Sequence, residues 1–256
     1  MLEELLQRRT QSLGANHNDV IDAQIDLAIV YRRIGKLEQA ENRCPRSLSL
    51  LNDQNRTQDD PMLLRCMTEL SRIYLASDKI QQAESLARNT YERSRLRFGA
   101  NNPKSLRRGQ VLVECLGKLG RLDDAQDLST QIVSKLQMAL GQSHPDTLGA
   151  MDSLANIAAA RNDFNLALEQ YLEILKLKEE ELGSMHPETL NTLNATADIY
   201  RKLDMLEEAK KAQYTVYQRL QEKYGHEHPE TLRSMNELAD LHLELGEEDS
   251  AFSISE

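Results

Sequence analysis

The residues best suited to bind a metal ion are His226 and His228, which form a His-x-His pair. Two imidazole nitrogens at this spacing can bind a metal ion. Three other histidines hold the same place in the repeat described below: His17, His144 and His186. Helix capping accounts for all four of these positions, whereas metal binding accounts for one. We therefore predict no metal site and no cofactor.

Three cysteines could act as nucleophiles or disulfide partners: Cys44, Cys66 and Cys115. They are far apart in sequence and form no Cys-x-x-Cys pair, which argues against a disulfide framework and for a reducing compartment. Cys44 and Cys66 fall on apolar faces of predicted helices, where packing is the usual role. No glycine-rich phosphate-binding loop and no nucleophile elbow is present. The sequence offers no candidate constellation of catalytic residues, and we predict that the chain is not an enzyme.

Composition favours an all-α globular protein, with 40% hydrophobic and 28% charged residues and an abundance of helix formers. The chain begins with acidic residues instead of a basic leader, and no apolar run is long enough to span a bilayer. We therefore predict a cytoplasmic protein that binds no membrane. Residues 1–128 carry a charge of +2 and residues 129–256 a charge of −12. Nucleic acid is excluded as a partner because phosphate binding needs clustered cations.

An internal repeat dominates the sequence. The motif Gly-x-x-(His/Asn)-Pro-x-(Thr/Ser)-Leu recurs with its glycines 42 residues apart, at 99–106, 141–148, 183–190 and 225–232. A second series of alanines follows short turns with spacings of 43 and then 42 residues: Ala40, Ala83, Ala125, Ala167, Ala209 and Ala251. Two markers with one period predict a single array. Its predicted parts are a leading helix at 1–14 and repeats at 15–57, 58–99, 100–141, 142–183, 184–225 and a truncated 226–256.

Each repeat is predicted to hold two helices. In the fourth, His144 caps helix A, which begins at Pro145, because proline suits the first helical position. An apolar stripe at helical spacing follows, and Asn162 lies in the turn. Helix B ends at Gly183, a residue that readily adopts positive φ. The alanine of the second series is expected where the two helices cross closely.

With Leu148 as position 1, Leu154, Ala155 and Ala167 occupy positions 7, 8 and 20. This pattern resembles the tetratricopeptide repeat, and the 42-residue unit is similar to the repeats of kinesin light chains. The resemblance implies a right-handed α-solenoid, a superhelix of antiparallel helix pairs. It also implies a protein-binding scaffold whose helices A line a concave groove. Similar arrays occur as sensors in nucleotide-binding signalling ATPases.

The resemblance places positions 2, 5, 9 and 12 of helix A in the groove, where they would bind a protein or peptide. Asn194 and Asn236 stand at position 5, where a side-chain amide can bond to a peptide backbone. Arginines in repeats two and three and aspartates in later repeats imply a ligand of opposite charge polarity. The candidate contact residues are Arg65, Arg72, Arg107, Gln110, Asp152, Asn156, Asn191, Asn194, Asp198, Arg201, Arg233 and Asn236.

Several features depart from the pattern. Pro45 lies inside helix B of repeat one and is expected to kink it. The polar stretch 52–60 is expected to be a mobile loop or a bend, and His242, at position 11, a core residue. Both ends of the chain look cut, which favours a segment of a longer protein. Two alternative functions therefore stay open: a regulatory sensor segment of a signalling ATPase, and a solenoid that self-assembles through its ends.

Overall fold

The computed structural model describes residues 2–54 and 56–248, which form α helices and no strand. The helices are α1 (Leu2–Leu13), α2 (Asn18–Arg33), α3 (Leu37–Asp53), α4 (Pro61–Ala76), α5 (Ile80–Phe98), α6 (Pro103–Lys118), α7 (Leu122–Leu140), α8 (Pro145–Ala160), α9 (Phe164–Leu182), α10 (Pro187–Lys202), α11 (Leu206–Tyr224) and α12 (Pro229–Glu244). From α4 onward, helices of 16 and 19 residues alternate. The predicted all-α array of helix pairs is confirmed.

The chain divides into two compact units. Unit 1 spans Met1–Leu140 and unit 2 spans Gly141–Glu256. Within each unit, every helix packs against the next one in sequence. In unit 1, helices A of successive repeats also contact each other, α2 with α4 and α4 with α6.

Side-chain caps fix where helices A begin. Nδ1 of His144 accepts a hydrogen bond from the backbone N–H of Asp146 over 3.1 Å, and the other three capping histidines bond in the same way. Asp60 and Asn102 cap α4 and α6 through a side-chain oxygen. An unpaired N–H at a helix start needs an acceptor, and each of these side chains supplies one. The predicted capping role of the histidines is confirmed.

A left-handed residue makes the turn between helices A and B in every repeat. Gly35, Gly120 and Gly246 have φ of 74°, 72° and 75° there. In the other repeats the same position holds Asp78, Asn162 and Asp204, with φ of 59–64°. Aspartate and asparagine are the non-glycine residues that best tolerate this region. The turn therefore selects residues by backbone conformation.

The alanines of the second series lie where helices A and B meet. Those at 40, 83, 125, 167 and 209 are fully buried, and Ala251 lies outside the described residues. Two cysteines pack in the same way: the sulfur atoms of Cys44 and Cys66, 22 residues apart in sequence, are 3.7 Å apart in the core. Sequence separation alone did not predict this contact.

Three features depart from the repeat pattern of the sequence: Pro45, the polar stretch 52–60 and His242. Helix α3 continues through Pro45 to Asp53. In the polar stretch, Arg56 bonds to Gln54 over 2.7 Å and to both oxygens of Asp60 at 3.0 and 3.1 Å, while Asn55 lies outside the described residues. His242, predicted to be a core residue, lies at the edge of the core: its side chain is 14% exposed, and its Nδ1 pairs with Glu247 over 2.5 Å.

Candidate protein-binding surfaces

In α10 and α12, one face of helix A is buried and the opposite face is open to solvent. The buried positions include Leu190 of α10 and Leu238 and Leu241 of α12. Positions 2, 9 and 12 are exposed in both helices, and the polar residues there are Asn191, Asp198, Arg201, Arg233 and Asp240. In unit 1, by contrast, Ile25 at position 5 of α2 is fully buried, and Arg65 and Arg72 of α4 are half-buried. Ligand contact at these positions stays a prediction.

In unit 1, two of the predicted contact arginines are paired with carboxylates of the same unit. Arg65 bonds to both Asp22 and Asp26 of the preceding helix A. Arg72 bonds to Glu69 over 2.7 Å, and Glu69 also accepts a longer contact of 3.4 Å from Arg32. These pairs link α2 to α4. They also reduce the positive charge that the sequence alone suggested.

A pocket of about 320 Å³, here called the Phe98 pocket, opens on α4 and α6 and includes the predicted contacts Arg65, Arg72 and Arg107. Two further cations lie over the Phe98 ring: Arg108, one of the arginines of repeats two and three but not a predicted contact residue, and Lys104, which was not predicted. Nζ of Lys104 is 5.5 Å and Cζ of Arg108 is 5.6 Å from its centroid. Both are cation–π distances. The sequence signal that could have identified these two residues is their spacing: they are four residues apart at the start of α6, which places both on one face of the helix.

Arg108 is held firmly in the Phe98 pocket. Its NH1 donates to the backbone oxygen of Lys104 over 2.8 Å and to Oγ of Ser94 over 3.3 Å. Ser94 is itself fixed, since it accepts and donates within a buried pair with Ser105. Nε of Arg108 is buried without a hydrogen-bond partner among the described residues. Burial, followed by repulsion from Arg72 and Arg107, lowers the pKa of Arg108.

Glu114 lies at position 9 of α6 and lines a neighbouring hollow of about 560 Å³ with Arg32, Arg72 and Lys118. Its side chain is accessible to solvent. Even so, desolvation by the surrounding protein raises its pKa, offset in part by Arg72 and Arg32. A carboxylate that is both accessible and desolvated lies in a concave surface. Gln110, one turn earlier, is half-buried.

In unit 2, Asp152 is committed to an internal network and is half-buried. Nζ of Lys178, which is only 2% exposed, lies 2.5 Å from Asp152 Oδ2 and 2.9 Å from Oγ1 of Thr192. Thr192 in turn donates to Asp152 over 3.2 Å. Burial raises the pKa of Asp152, and Lys178 opposes that shift. The network joins α8, α9 and α10, so the position predicted for ligand contact here stabilises the fold.

The predicted asparagines of unit 2 differ in what they bond. Asn156 Oδ1 accepts the Tyr171 hydroxyl over 2.7 Å, whereas Asn191 and Asn236 are exposed. Oδ1 of Asn194 is buried and has no hydrogen-bond partner among the described residues. An unsatisfied buried amide oxygen is costly, and a rotation of the side chain would make it available to a ligand.

Acidic groups line the same face. Asp198, at position 9 of α10, is exposed, yet desolvation raises its pKa, offset in part by Arg201 and Lys202. Desolvation likewise raises the pKa of Glu237. Arg201 on α10 pairs with Glu244 on α12, which holds the two exposed faces side by side. Arg233 pairs within its own helix, with Glu230.

The other candidate chemical groups are occupied by packing or capping. Cys44, Cys66 and Cys115 are free buried thiols, and burial raises the pKa of Cys115 to about 12. His228 caps α12 and stacks on Tyr224, with ring centroids 4.4 Å apart. Over residues 2–54 and 56–248, no cluster of three metal-ligating side chains occurs. No helix in the same part of the chain has the length and apolarity needed to cross a bilayer.

Paired helices of constant period, each pair with a capped start, an alanine crossing and a left-handed turn, define an all-α repeat protein. Models of one such repeat match residues 63–104, 147–188 and 188–256, together more than half of the chain. The chain therefore belongs to the tetratricopeptide-repeat family, a family of non-catalytic scaffolds that generally mediate protein–protein interaction. No curated protein is significantly similar to it in sequence.

Solved structures with a similar fold include a putative kinesin light chain of Podosopora anserina with nearly identical TPR-like repeats. It is 21% identical, with a TM-score of 0.65 over 81% of this chain and 98% of that one. BtubC (BKLC) from P. vanneervenii is 16% identical, with a TM-score of 0.66 over 91% and 87%. A Rap protein complexed with competence and sporulation factor is 15% identical, with a TM-score of 0.55 over 90% and 65%. At these identities the likeness establishes the fold.

Proposed function

We propose that the chain is a non-catalytic scaffold that binds a peptide or protein segment along the exposed faces of its helices A. In unit 1 the binding surface is the Phe98 pocket with the adjoining face of α6. In unit 2 it is the paired faces of α10 and α12, including Asn191, Asn194 and Asn236. The cytoplasmic location stays a prediction.

The observation that supports this proposal is the concave surface at position 9 of α6, where the exposed Glu114 lines a hollow of about 560 Å³. In unit 2, Asp198 is exposed at the same position of α10. A ligand that enters a concave surface loses less water per contact than on a flat one, because part of that water has already been excluded.

The fold comparisons support the same function. A tetratricopeptide-repeat array presents its helices A as parallel, equally spaced rows of side chains, which suits an extended or helical segment. The similar Rap structure is a complex with competence and sporulation factor. We infer by analogy that this chain also binds a protein ligand.

A peptide-display selection against the chain tests the proposal. The selected peptides should share a motif and should bind the double variant Asn194→Ala/Asn236→Ala at least ten-fold more weakly if they occupy unit 2. Lys211→Ala, an exposed position of helix B in the same unit, is the matched control and should leave affinity unchanged. Loss of binding in the helix-B variant, with none in the groove variant, would place the ligand elsewhere.

Self-assembly is a second candidate, favoured by one apolar surface. A pocket of about 200 Å³ between α1 and α2 is lined mainly by Leu5, Leu6, Leu27 and Val30. Leu5 is 49% and Val30 36% exposed. If the chain acts as a scaffold and does not self-assemble, its mass measured by light scattering should remain that of a monomer over a hundred-fold concentration range. A rise that Leu5→Glu abolishes would favour assembly.

A further inference from the structure

The positive charge in the Phe98 pocket is only partly compensated within unit 1. Glu69 is shared between Arg32 and Arg72, which leaves one positive charge. Arg65 is shared between two aspartates, which leaves one negative charge. This negative charge offsets the positive charge left over from Arg32 and Arg72. Of the three other cations that line the pocket, Arg107 has a further interaction, whereas Lys104 and Arg108 pair with no carboxylate among the described residues.

Arg108 is held in place before any ligand arrives, whereas Lys104 is exposed and approaches the pocket only through its contact with Phe98. Hydrogen bonds from NH1 and the Phe98 ring position the Arg108 guanidinium, while its buried Nε has no acceptor. Lys104 lies in the first turn of α6, which carries no acidic residue. The partial positive charge of a helix start therefore adds to that of the two side chains. Gathering uncompensated cations in this way costs stability, which is typical of a binding site.

We propose that the Phe98 pocket binds a phosphorylated serine or threonine side chain of the partner segment. This inference rests on the proposed function, since the phosphoryl group belongs to the bound protein. A phosphoryl group carries a charge of about −1.5 to −2 at pH 7. It matches the two uncompensated cations, whereas a carboxylate would offset only one of them. Because NH1 of Arg108 already donates within the protein and Nε is buried, the NH2 group of the guanidinium donates to one phosphoryl oxygen, and the Lys104 ammonium contacts another.

The pocket volume is consistent with this ligand. About 320 Å³ accommodates a phosphoryl group together with the side chain and backbone that carry it. The Phe98 ring, which both cations approach, gives the pocket an apolar wall that suits the short stem carrying the phosphoryl group. Binding would leave the ion pairs of Arg65 and Arg72 intact.

The test uses the full chain and two degenerate peptide pools that are identical except for phosphorylation of a central serine. The phosphorylated pool should be enriched, and its selected peptides should bind at least ten-fold more tightly than their unphosphorylated forms. The double variant Lys104→Gln/Arg108→Gln should remove this difference. Arg95→Gln is the matched control, because Arg95 also lies over an aromatic ring, 5.5 Å from that of Tyr91, but outside the Phe98 pocket.

Each outcome decides. Selective loss in the Lys104/Arg108 variant, with Arg95→Gln within about two-fold of the parent chain, establishes the phosphoryl site. Equal binding of peptides with glutamate in place of phosphoserine overturns it in favour of a general acidic ligand. Enrichment of unphosphorylated peptides alone overturns it while the proposed function stands. If no peptide of either pool binds to a folded chain, both proposals fail. Arg108→Lys, which keeps the charge but loses the hydrogen bonds of the guanidinium to Ser94 and to the backbone of Lys104, should retain only part of the affinity.

Discussion

Gly109 is the point where helix α6 is most tightly enclosed, and its replacement by alanine gives a decisive test of the packing. A methyl group added at Gly109 would lie 2.8 Å from Cδ1 of Ile132 on α7 and 2.9 Å from Cε2 of Tyr91 on α5. Real Cβ atoms do not approach other atoms so closely. The end of the isoleucine can rotate away, but the tyrosine ring is buried and planar. The helix must therefore shift or the ring must move.

The expected magnitude is a balance of two effects. Alanine is better than glycine inside a helix by about 1 kcal/mol. Overpacking a buried site costs about 1–3 kcal/mol. Gly117 lies in the same helix, and a methyl group there would meet nothing within 4 Å. Gly117→Ala should therefore stabilise the chain, and Gly109→Ala should be about 1–3 kcal/mol less stable than Gly117→Ala.

Urea unfolding of both variants, followed by circular dichroism, measures the difference directly. The two glycines belong to one helix, so both substitutions report on the same unfolding step. The midpoint should rise for Gly117→Ala and fall, or stay near that of the parent chain, for Gly109→Ala. An equal rise in both midpoints would refute the close approach of α5, α6 and α7.

Four further predictions concern caps, crossings and charges. His144→Ala should lower stability by about 0.5–2 kcal/mol, whereas His144→Asn should cost little, because asparagine caps the preceding repeat. Ala167→Leu should cost about 1–3 kcal/mol in thermal unfolding, since the crossing leaves room only for a methyl group. Lys178→Met should cost on the order of 3 kcal/mol at pH 7 by leaving Asp152 buried and unpaired, and the loss should shrink on acidification as that carboxyl is protonated. Asp198→Asn should stabilise the chain at neutral pH. The folded-state pKa of Asp198 is raised, so its cost to stability grows as pH rises between the unfolded and folded pKa, and the gain should vanish below both.

The repeat made most of the fold predictable. Residue types with strict local preferences recur at one period: a capping histidine, a proline at the first helical position, a small residue at the crossing and a left-handed residue at the turn. Each preference acts over a few residues, so sequence reveals it without knowledge of the partner helix. Asp78 and Asp204, at the turn position without glycine, could have been identified from the same register.

The candidate site was less predictable because it depends on pairing between helices. The period placed Arg65 on the accessible face, but not its two aspartate partners on the preceding helix A. Asp152 stands at position 5, one of the predicted groove positions, yet it forms an ion pair with Lys178 of the next helix. Lys104 lies outside the four groove positions and enters the pocket through its contact with Phe98. The partner of each of these side chains is tens of residues away in sequence. The repeat period does not reveal in which direction such side chains point, so it cannot predict the pairing.

Photo-crosslinking of a selected peptide to the chain, mapped by mass spectrometry, tests the central claim most directly. The peptide should carry a photoreactive group in place of one residue at a time. We expect crosslinks on accessible residues of helices A, in α4 and α6 or in α10 and α12. Crosslinks confined to helices B, such as α9 and α11, would contradict it.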